Sequence, residues 1–252
     1  MKTVIIKIGT KVLSQADGTL DEAFLAHAVE QIAELKKRGM RVVLITSGAV
    51  GAGKSLITLD AARTETTRKQ IFAAVGQVKL MTVYSQLFSA HGYICAQVLA
   101  TKEDFRDEEH YKNMQNCFEG LLLDDVIPIV NENDVVATTE LLFTDNDELA
   151  GLVAKQLMAD SLVILTGTNG ILDTEGKTVA HVNAANIREV EKFITPDKST
   201  GGRGGMASKF KTAKEISALG IAVSIVNGKR KNVLIELIDG AAIGTRFESI
   251  KN

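Results

Sequence analysis

The sequence predicts an α/β protein: a three-layer sandwich in which a mainly parallel sheet carries helices on both faces. Two observations predict it. Short β-branched runs alternate with longer helical patterns along nearly the whole chain. The runs are continuously apolar rather than alternating, as strands covered on both faces are.

Taken in order, the first run is Thr3–Ile8, and a helix follows it. Thr19 and Glu22 form a T-x-x-E capping box, Phe24, Leu25, Ala28, Val29, Ile32 and Leu35 make one apolar stripe, and Gly39 stops it. Further strand runs are Arg41–Thr46, Ile94–Leu99, Val126–Val130, Ser161–Thr166 and Ile221–Val226. Helical spacing covers about Thr66–His91, Tyr111–Asp124, Asn146–Met158, Met206–Leu219 and Asn232–Ile238. Within Ile171–Val182, Asp173-Thr174-Glu175-Gly176 reads as a hairpin turn. Thr195–Gly205, with Pro196 and four glycines, is the longest loop. No repeat, low-complexity tract or linker is visible, and a soft seam falls near residue 160.

Composition removes several classes of function. With 252 residues, 45% hydrophobic and 24% charged, the chain has the make-up of a globular protein and not of a disordered one. A net charge of −2 argues against nucleic-acid binding by bulk phosphate neutralisation. Cys95 and Cys117 are too few for a disulfide scaffold, their spacing fits no zinc site, and they read as two reduced, buried thiols. No stretch approaches the ~18 apolar residues of a membrane span. Lys7 interrupts the apolar start too early for a signal-peptide core. A cytoplasmic protein with no membrane and no nucleic-acid partner is expected.

Ligands of open α/β sheets sit beyond the carboxyl ends of the strands, so the residues there carry the functional argument. Lys7-Ile8-Gly9-Thr10 can set an ammonium near an anion; a solvated edge lysine is the plainer alternative. Gly48–Ser55 matches G-x-x-x-x-G-K-[ST] after a strand, which gives a P-loop NTPase or kinase as a rival reading, with Lys54 on phosphate and Ser55 on Mg²⁺. Against it, the match follows the second strand, and no later strand ends in a clean apolar run plus Asp. Asn131-Glu132-Asn133-Asp134 suits an ammonium or a carboxylate, or is an Asx-turn. In Asp145-Asn146-Asp147-Glu148, capping explains one residue but not the whole cluster, which points to a site role for Asn146 and Asp147. In Gly201-Gly202-Arg203-Gly204-Gly205-Met206-Ala207-Ser208-Lys209, glycines precede a helix and make an anion nest. Lys209 in the first turn opposes the helix dipole unless an anion lies nearby. Lys7 and Lys209 together suggest a phosphate site.

Lys7-Ile8-Gly9-Thr10, Thr46-Ser47-Gly48-Ala49, Asn131-Glu132-Asn133-Asp134, Asp145-Asn146-Asp147 and Gly204-Gly205-Met206-Ala207-Ser208-Lys209, in this order, resemble the glutamate 5-kinases of the amino-acid kinase family over residues 1–247. The resemblance implies MgATP-dependent phosphorylation of the L-glutamate γ-carboxylate to L-glutamyl 5-phosphate, the first step of proline biosynthesis. It implies that Lys7 and Lys209 bind the transferring phosphoryl group with Asp147 orienting them, and that Ser47, Gly48, Asn131, Asp134 and Asn146 hold glutamate. Lys7, Thr166, Gly167, Arg203, Gly204, Gly205, Met206, Ala207, Ser208 and Lys209 would line the nucleotide site. Mg²⁺ would be held mainly by ATP phosphates, with no dedicated protein metal site. One domain over 1–252 is implied, with 1–160 as the amino-acid half, 161–252 as the nucleotide half and no PUA domain. A homo-oligomer, dimer or tetramer, and proline feedback inhibition are implied too. N-acetylglutamate or aspartate kinase activity is the alternative within the family, and a non-enzymatic binding sensor is the alternative outside it. The chain departs from the family at Leu165-Thr166-Gly167-Thr168-Asn169-Gly170-Ile171-Leu172, where an Asp usually replaces Gly167 and a Tyr replaces Leu172.

The chemistry is consistent with this. A carboxylate is ionised at neutral pH, so the nucleophile needs no general base. Phosphoryl transfer needs alignment and charge neutralisation, which two lysines, backbone N–H groups and Mg²⁺ can supply.

Overall fold

The structure, a computed structural model, describes residues 1–137, 143, 145–194 and 205–248. Among them, eight strands form one sheet: β1 (Thr3–Ile8), β2 (Arg41–Ile45), β3 (Cys95–Ala100), β4 (Ile127–Glu132), β5 (Ser161–Thr166), β6 (His181–Val182), β7 (Ala222–Asn227) and β8 (Thr245–Phe247). Their order across the sheet is β3-β4-β2-β1-β5-β7-β8-β6. Every pairing is parallel except β7 with β8. The chain winds outward on both sides of β1, so the crevice beyond the carboxyl ends of β1, β2 and β5 is the topological switch point where ligands bind. The sheet runs unbroken past residue 160, where Asp160 Oδ2 accepts the Thr3 N–H at 2.7 Å.

The helices are α1 (Thr10–Leu13), α2 (Glu22–Lys37), α3 (Ala49–Lys54), α4 (Glu65–Ala90), α5 (Glu108–Leu123), α6 (Asn146–Gln156), α7 (Ile187–Lys192), α8 (Met206–Ala218) and α9 (Val233–Ile238). They lie on both faces, as the apolar strand runs require. Leu25, Val29 and Ile32 of α2 and Leu80, Tyr84 and Phe88 of α4 pack with Val4, Ile6, Val42 and Leu44. Leu149 and Val153 of α6, Phe210 of α8 and Phe118 of α5 pack with Ile5, Val43 and Ile45. Alternate residues of one strand thus serve opposite cores.

Several expectations need correction. Asp21, not Thr19, caps α2: its side chain accepts the Phe24 N–H at 3.0 Å. Thr19 instead donates its N–H and hydroxyl to Asp17, closing a small loop bridged by Ser14 and Leu20. The Asp173–Gly176 turn does form, but its hairpin is a single bridge between Leu172 and Thr178. Cys117 is exposed and Cys95 only half-buried, so the thiols are not both core groups. By length and apolar composition α4 would suit a membrane span, contrary to the expectation that no stretch approaches one. Its buried side, including Phe72, Leu80, Tyr84 and Phe88, is an inner face of this domain.

Candidate active site

Alternation along β1 decides the site. Lys7 shares the face of Ile5, which α6 and α8 cover. There Lys7 Nζ stands 2.6 Å from Asp147 Oδ1, and Lys209 Nζ stands 2.9 Å from Asp147 Oδ2. The carboxylate is fully buried and the two lysines are 4% and 6% exposed, so solvent does little to screen the trio.

Local sequence explains the placement. Asp145 caps α6, its Oδ1 accepting the N–H groups of Asp147 (2.7 Å) and Glu148 (3.1 Å). That puts Asp147 in the first turn, where the helix dipole favours an anion. Lys209 sits at the unfavourable end of α8, and the neighbouring carboxylate of Asp147 offsets that cost. The anion near the start of α8 is therefore partly the protein's own. Two ammonium groups still share one carboxylate.

The protonation states follow. Burial pushes the Asp147 carboxyl up, but the charges and hydrogen bonds of Lys7 and Lys209 outweigh it and hold it below the usual carboxylate range. Burial pulls the Lys7 ammonium below its ordinary value; Asp147 opposes this and the Lys209 charge adds to it.

Two cavities open at the carboxyl ends of the strands. The smaller, about 300 Å³, is walled by Lys7, Gly9, Thr166, Gly167, Gly205 and Lys209 among others. Helix α8 begins in this wall, at Gly205 and Met206, with the positive end of its dipole. The larger, about 1430 Å³, lies between the 14–19 loop, the start of α3, the first turns of α4 and the end of β4. Ser47 and Asn146 belong to both walls, so the cavities meet beside the Lys–Asp–Lys trio. Asn146 Nδ2 donates to the Thr46 carbonyl (2.7 Å), Ser47 Oγ (2.8 Å) and Asn131 Oδ1 (3.1 Å). Asp134 takes an ion pair from Lys69 at the wall of the larger cavity. Gly48 lines that cavity too, with a left-handed backbone (φ +100°) that starts α3. One chamber therefore offers cations and a helix N-terminus, and the other offers amides and paired charges. That arrangement suits an anionic group passing between two ligands.

The amino acid kinase family pattern matches residues 2–227. The chain belongs to the amino acid kinase family. It is 44% identical over 248 residues to a glutamate 5-kinase of Chlorobaculum tepidum, covering 98% of this chain and 69% of that protein. It is 44% identical over 252 residues to a glutamate 5-kinase of Bacteroides thetaiotaomicron, covering 97% and 69%. Among solved structures it resembles carbamate kinase from Giardia lamblia bound to AMP-PNP (TM-score 0.69, 18% identity, 98% of both chains). It also resembles UMP kinase from Bacillus anthracis (TM-score 0.65, 12% identity, 98% and 96% covered). At such identities these two speak for the amino acid kinase fold alone.

In this amino acid kinase the P-loop reading fails on geometry. A phosphate loop needs its G-K-S at a helix start, with N–H groups converging on the ligand. Here the helix begins at Ala49 and Lys54 ends it. Lys54 lies over the Phe72 ring, 6.0 Å from its centroid, and Ser55 Oγ donates to the Ala52 carbonyl at 2.7 Å. The glycines serve packing. A Cβ at Gly53 would stand 1.9 Å from the Phe72 carbonyl oxygen, and one at Gly76 would stand 1.8 Å from that of Ala49.

The structure brings Lys7, Ser47, Gly48, Asn131, Asp134, Asn146, Thr166, Gly167, Gly205, Met206 and Lys209 to one or both cavity walls. Asp147 lies behind the two lysines. Ala207 and Ser208 share the first turn of α8 but do not line either cavity. Arg203 and Gly204 lie outside the described residues. Sequence reasoning missed Lys69, Gln77 and the 14–19 loop. For Gln77 a signal existed: it is a lone amide in the apolar stripe of Phe72, Ala73, Gly76, Leu80 and Tyr84.

Proposed function

We propose that the chain transfers the γ-phosphoryl group of MgATP to the γ-carboxylate of L-glutamate, giving ADP and L-glutamyl 5-phosphate, as the first step of proline biosynthesis in the cytoplasm. The observation that carries this reading is the meeting of the two cavities beside Lys7, Asp147 and Lys209. The two relatives at 44% identity, each named glutamate 5-kinase, support the choice of acid.

In this reading a carboxylate oxygen of glutamate forms a bond to Pγ, the bond from Pγ to the β,γ-bridging oxygen breaks, and ADP takes the electron pair. No proton has to move. Lys7 and Lys209, aimed by Asp147, neutralise charge on the transferring group. Ser47, Gly48, Asn131, Asp134 and Asn146 hold the amino acid. Asp134, a carboxylate already paired with the Lys69 ammonium, suits the ammonium of the amino acid. Thr166, Gly167, Gly205, Met206 and Lys209 line the nucleotide end, with Arg203, Gly204, Ala207 and Ser208 assigned there by sequence resemblance. Residues 1–160 then serve the amino acid and 161–252 the nucleotide, within a homo-oligomer inhibited by proline. No group of three or more His, Cys, Asp or Glu side chains suited to a metal occurs among the described residues. Mg²⁺ is assigned to the ATP phosphates from the sequence resemblance, and it would reduce their charge.

The test is ADP release over a panel of L-glutamate, N-acetyl-L-glutamate, L-aspartate and carbamate, with hydroxylamine trapping the acyl phosphate. Glutamate-dependent ADP release with a trapped γ-hydroxamate is expected. Turnover with another acid alone refutes the choice of substrate, and ATP binding without turnover refutes the enzyme.

A further inference from the structure

A chain of carboxamides runs from the cavity junction to the edge of the sheet. Asn146 Nδ2 donates to Asn131 Oδ1 at 3.1 Å. Asn131 Nδ2 donates to Gln77 Oε1 at 3.0 Å, and Gln77 Nε2 donates to Gln97 Oε1 at 3.0 Å. Asn131 and Asn146 are wall residues of the larger cavity, whereas Gln77 lines neither cavity.

An amide has a donor end and an acceptor end, so such a chain has a direction. Here a main-chain group sets it. The Glu132 N–H donates to Asn131 Oδ1 at 2.9 Å, and a backbone donor cannot be flipped. The oxygen of Asn131 is thereby turned inward, where it also meets Asn146. Its NH₂ must face outward, and in this buried position it needs an acceptor. Gln77 Oε1 is that acceptor. Gln77 can present its oxygen because its own NH₂ is taken up by Gln97, on edge strand β3. The close approach of α4 to α3 at Gly76 brings this turn of α4 inward.

We propose that Gln77 is a positioning residue for the amino-acid substrate: its oxygen holds the Asn131 NH₂ in the orientation that the Glu132 N–H selects, and so keeps Asn131 Oδ1 turned to Asn146. The inference rests on the reading of Asn131 and Asn146 as substrate-holding groups. It goes beyond that reading by giving a role to a side chain that touches no ligand. The consequence is asymmetric. A side chain at position 77 that still accepts a hydrogen bond keeps the chain in order, and one that cannot accept leaves the buried Asn131 NH₂ without its acceptor and strains it against the Glu132 anchor.

The experiment compares Gln77→Met with Gln77→Glu, measuring kcat, KM for the acid, KM for ATP and the melting temperature. Methionine keeps the length and removes the acceptor; glutamate keeps an acceptor oxygen. Gln77→Met is expected to raise KM for L-glutamate about 10–30-fold, the range expected when a buried hydrogen bond is broken one-sidedly, with kcat and the ATP KM within about threefold. Gln77→Glu is expected to restore the glutamate KM to within about threefold of the parent. An unchanged glutamate KM in Gln77→Met overturns the proposal. So do equal losses in both variants, or parallel losses in kcat, both KM values and melting temperature, since those mark a packing role. The parent enzyme is first run on the acid panel. If it phosphorylates a different acid, the glutamate reading fails while this comparison proceeds with that acid.

Discussion

Replacing Asp147 with Asn removes the carboxylate shared by Lys7 and Lys209 while keeping its size. At 2.6 and 2.9 Å, and an effective dielectric of about 20, each ion pair carries a Coulomb attraction on the order of 6 kcal/mol. Most of this is offset by the desolvation of three buried groups, so the net value of the trio is small. Removing one member is a different matter, because it takes from buried Lys7 the carboxylate that pairs with it and from Lys209 the Asp147 contact. The expected loss of stability is about 3–5 kcal/mol, read as a lower urea midpoint. Without the Asp147 charge that raises it, the Lys7 ammonium, already lowered by burial and by Lys209, is expected to fall further below its ordinary value. With a preorganised charge missing at the phosphoryl group, kcat should fall about 10²–10³-fold in the ADP-release assay. The double variant Lys7→Met/Asp147→Asn removes the buried Lys7 cation as well, and it should recover about 1–2 kcal/mol relative to Asp147→Asn. A single variant with kcat within fivefold of the parent and an unchanged urea midpoint would refute this account of the trio.

Other outcomes follow from the same geometry. Lys7→Met and Lys209→Met should each lower kcat by about 10²–10³-fold, whereas Lys54→Met should leave kcat within about threefold; a collapse of kcat in the last variant would restore the P-loop reading. Turnover needs Lys7 protonated and its pKa lies below the ordinary 10.5, so activity should decline with an alkaline limb below pH 10.5. In Lys7→Arg that limb should vanish from the pH profile of whatever activity remains. Stability moves the other way in that window: the unfolded chain holds a proton that folded Lys7 has lost, so this lysine's contribution to unfolding free energy rises with pH. The contribution of Asp147 is complete above the ordinary 3.8 and is lost as pH falls through its depressed value, which acid-titrated melts can follow. Gly76→Ala should cost more than ~3 kcal/mol through the clash with Ala49 and prevent normal folding. Gly120→Ala, exposed on α5 with nothing within 4 Å of the new methyl, should instead stabilise by about 0.5–1 kcal/mol in urea melts.

Much of this was legible in the sequence because strand periodicity and strand ends are local signals. The runs at 3–8 and 161–166 match β1 and β5 residue for residue, whereas which core Lys7 faces is decided by the helices that cover that side. What failed was read from composition where packing decides. The glycines of 48–53 look like a loop by propensity, yet α3 forms there because Gly53 and Gly76 let two backbones touch. Asp21 won the cap from Thr19 because Thr19 was already committed to Asp17. Strand β8 escaped notice because three residues carry no periodicity and its antiparallel partner β7 is some twenty positions earlier. Lys7, Asp147 and Lys209 could be picked out as strand-end or helix-start residues. Lys69 sits within a helix, where a polar side chain usually means a solvated face, and only its partner 65 positions away reveals otherwise; Gln77 stands out within its apolar stripe, but the partner 54 positions away that gives it a role does not.

The backbone contact between α3 and α4 also has a mechanical consequence. With carbonyl oxygens seated against Gly53 and Gly76, no side chain lies between the helices at these points to deform, so the two are joined as one stiff body. Helix α4 has 26 residues, about 39 Å at ~1.5 Å per residue. Its first turns form a wall of the larger chamber, and its last residue lies just before the turn into edge strand β3. It is thus a lever with one arm at the substrate. A tilt of about 5° when the chamber closes on a ligand would move the far end by roughly 3 Å over that length. Occupancy of the site would then be felt at the margin of the sheet without any residue along the way changing its own conformation.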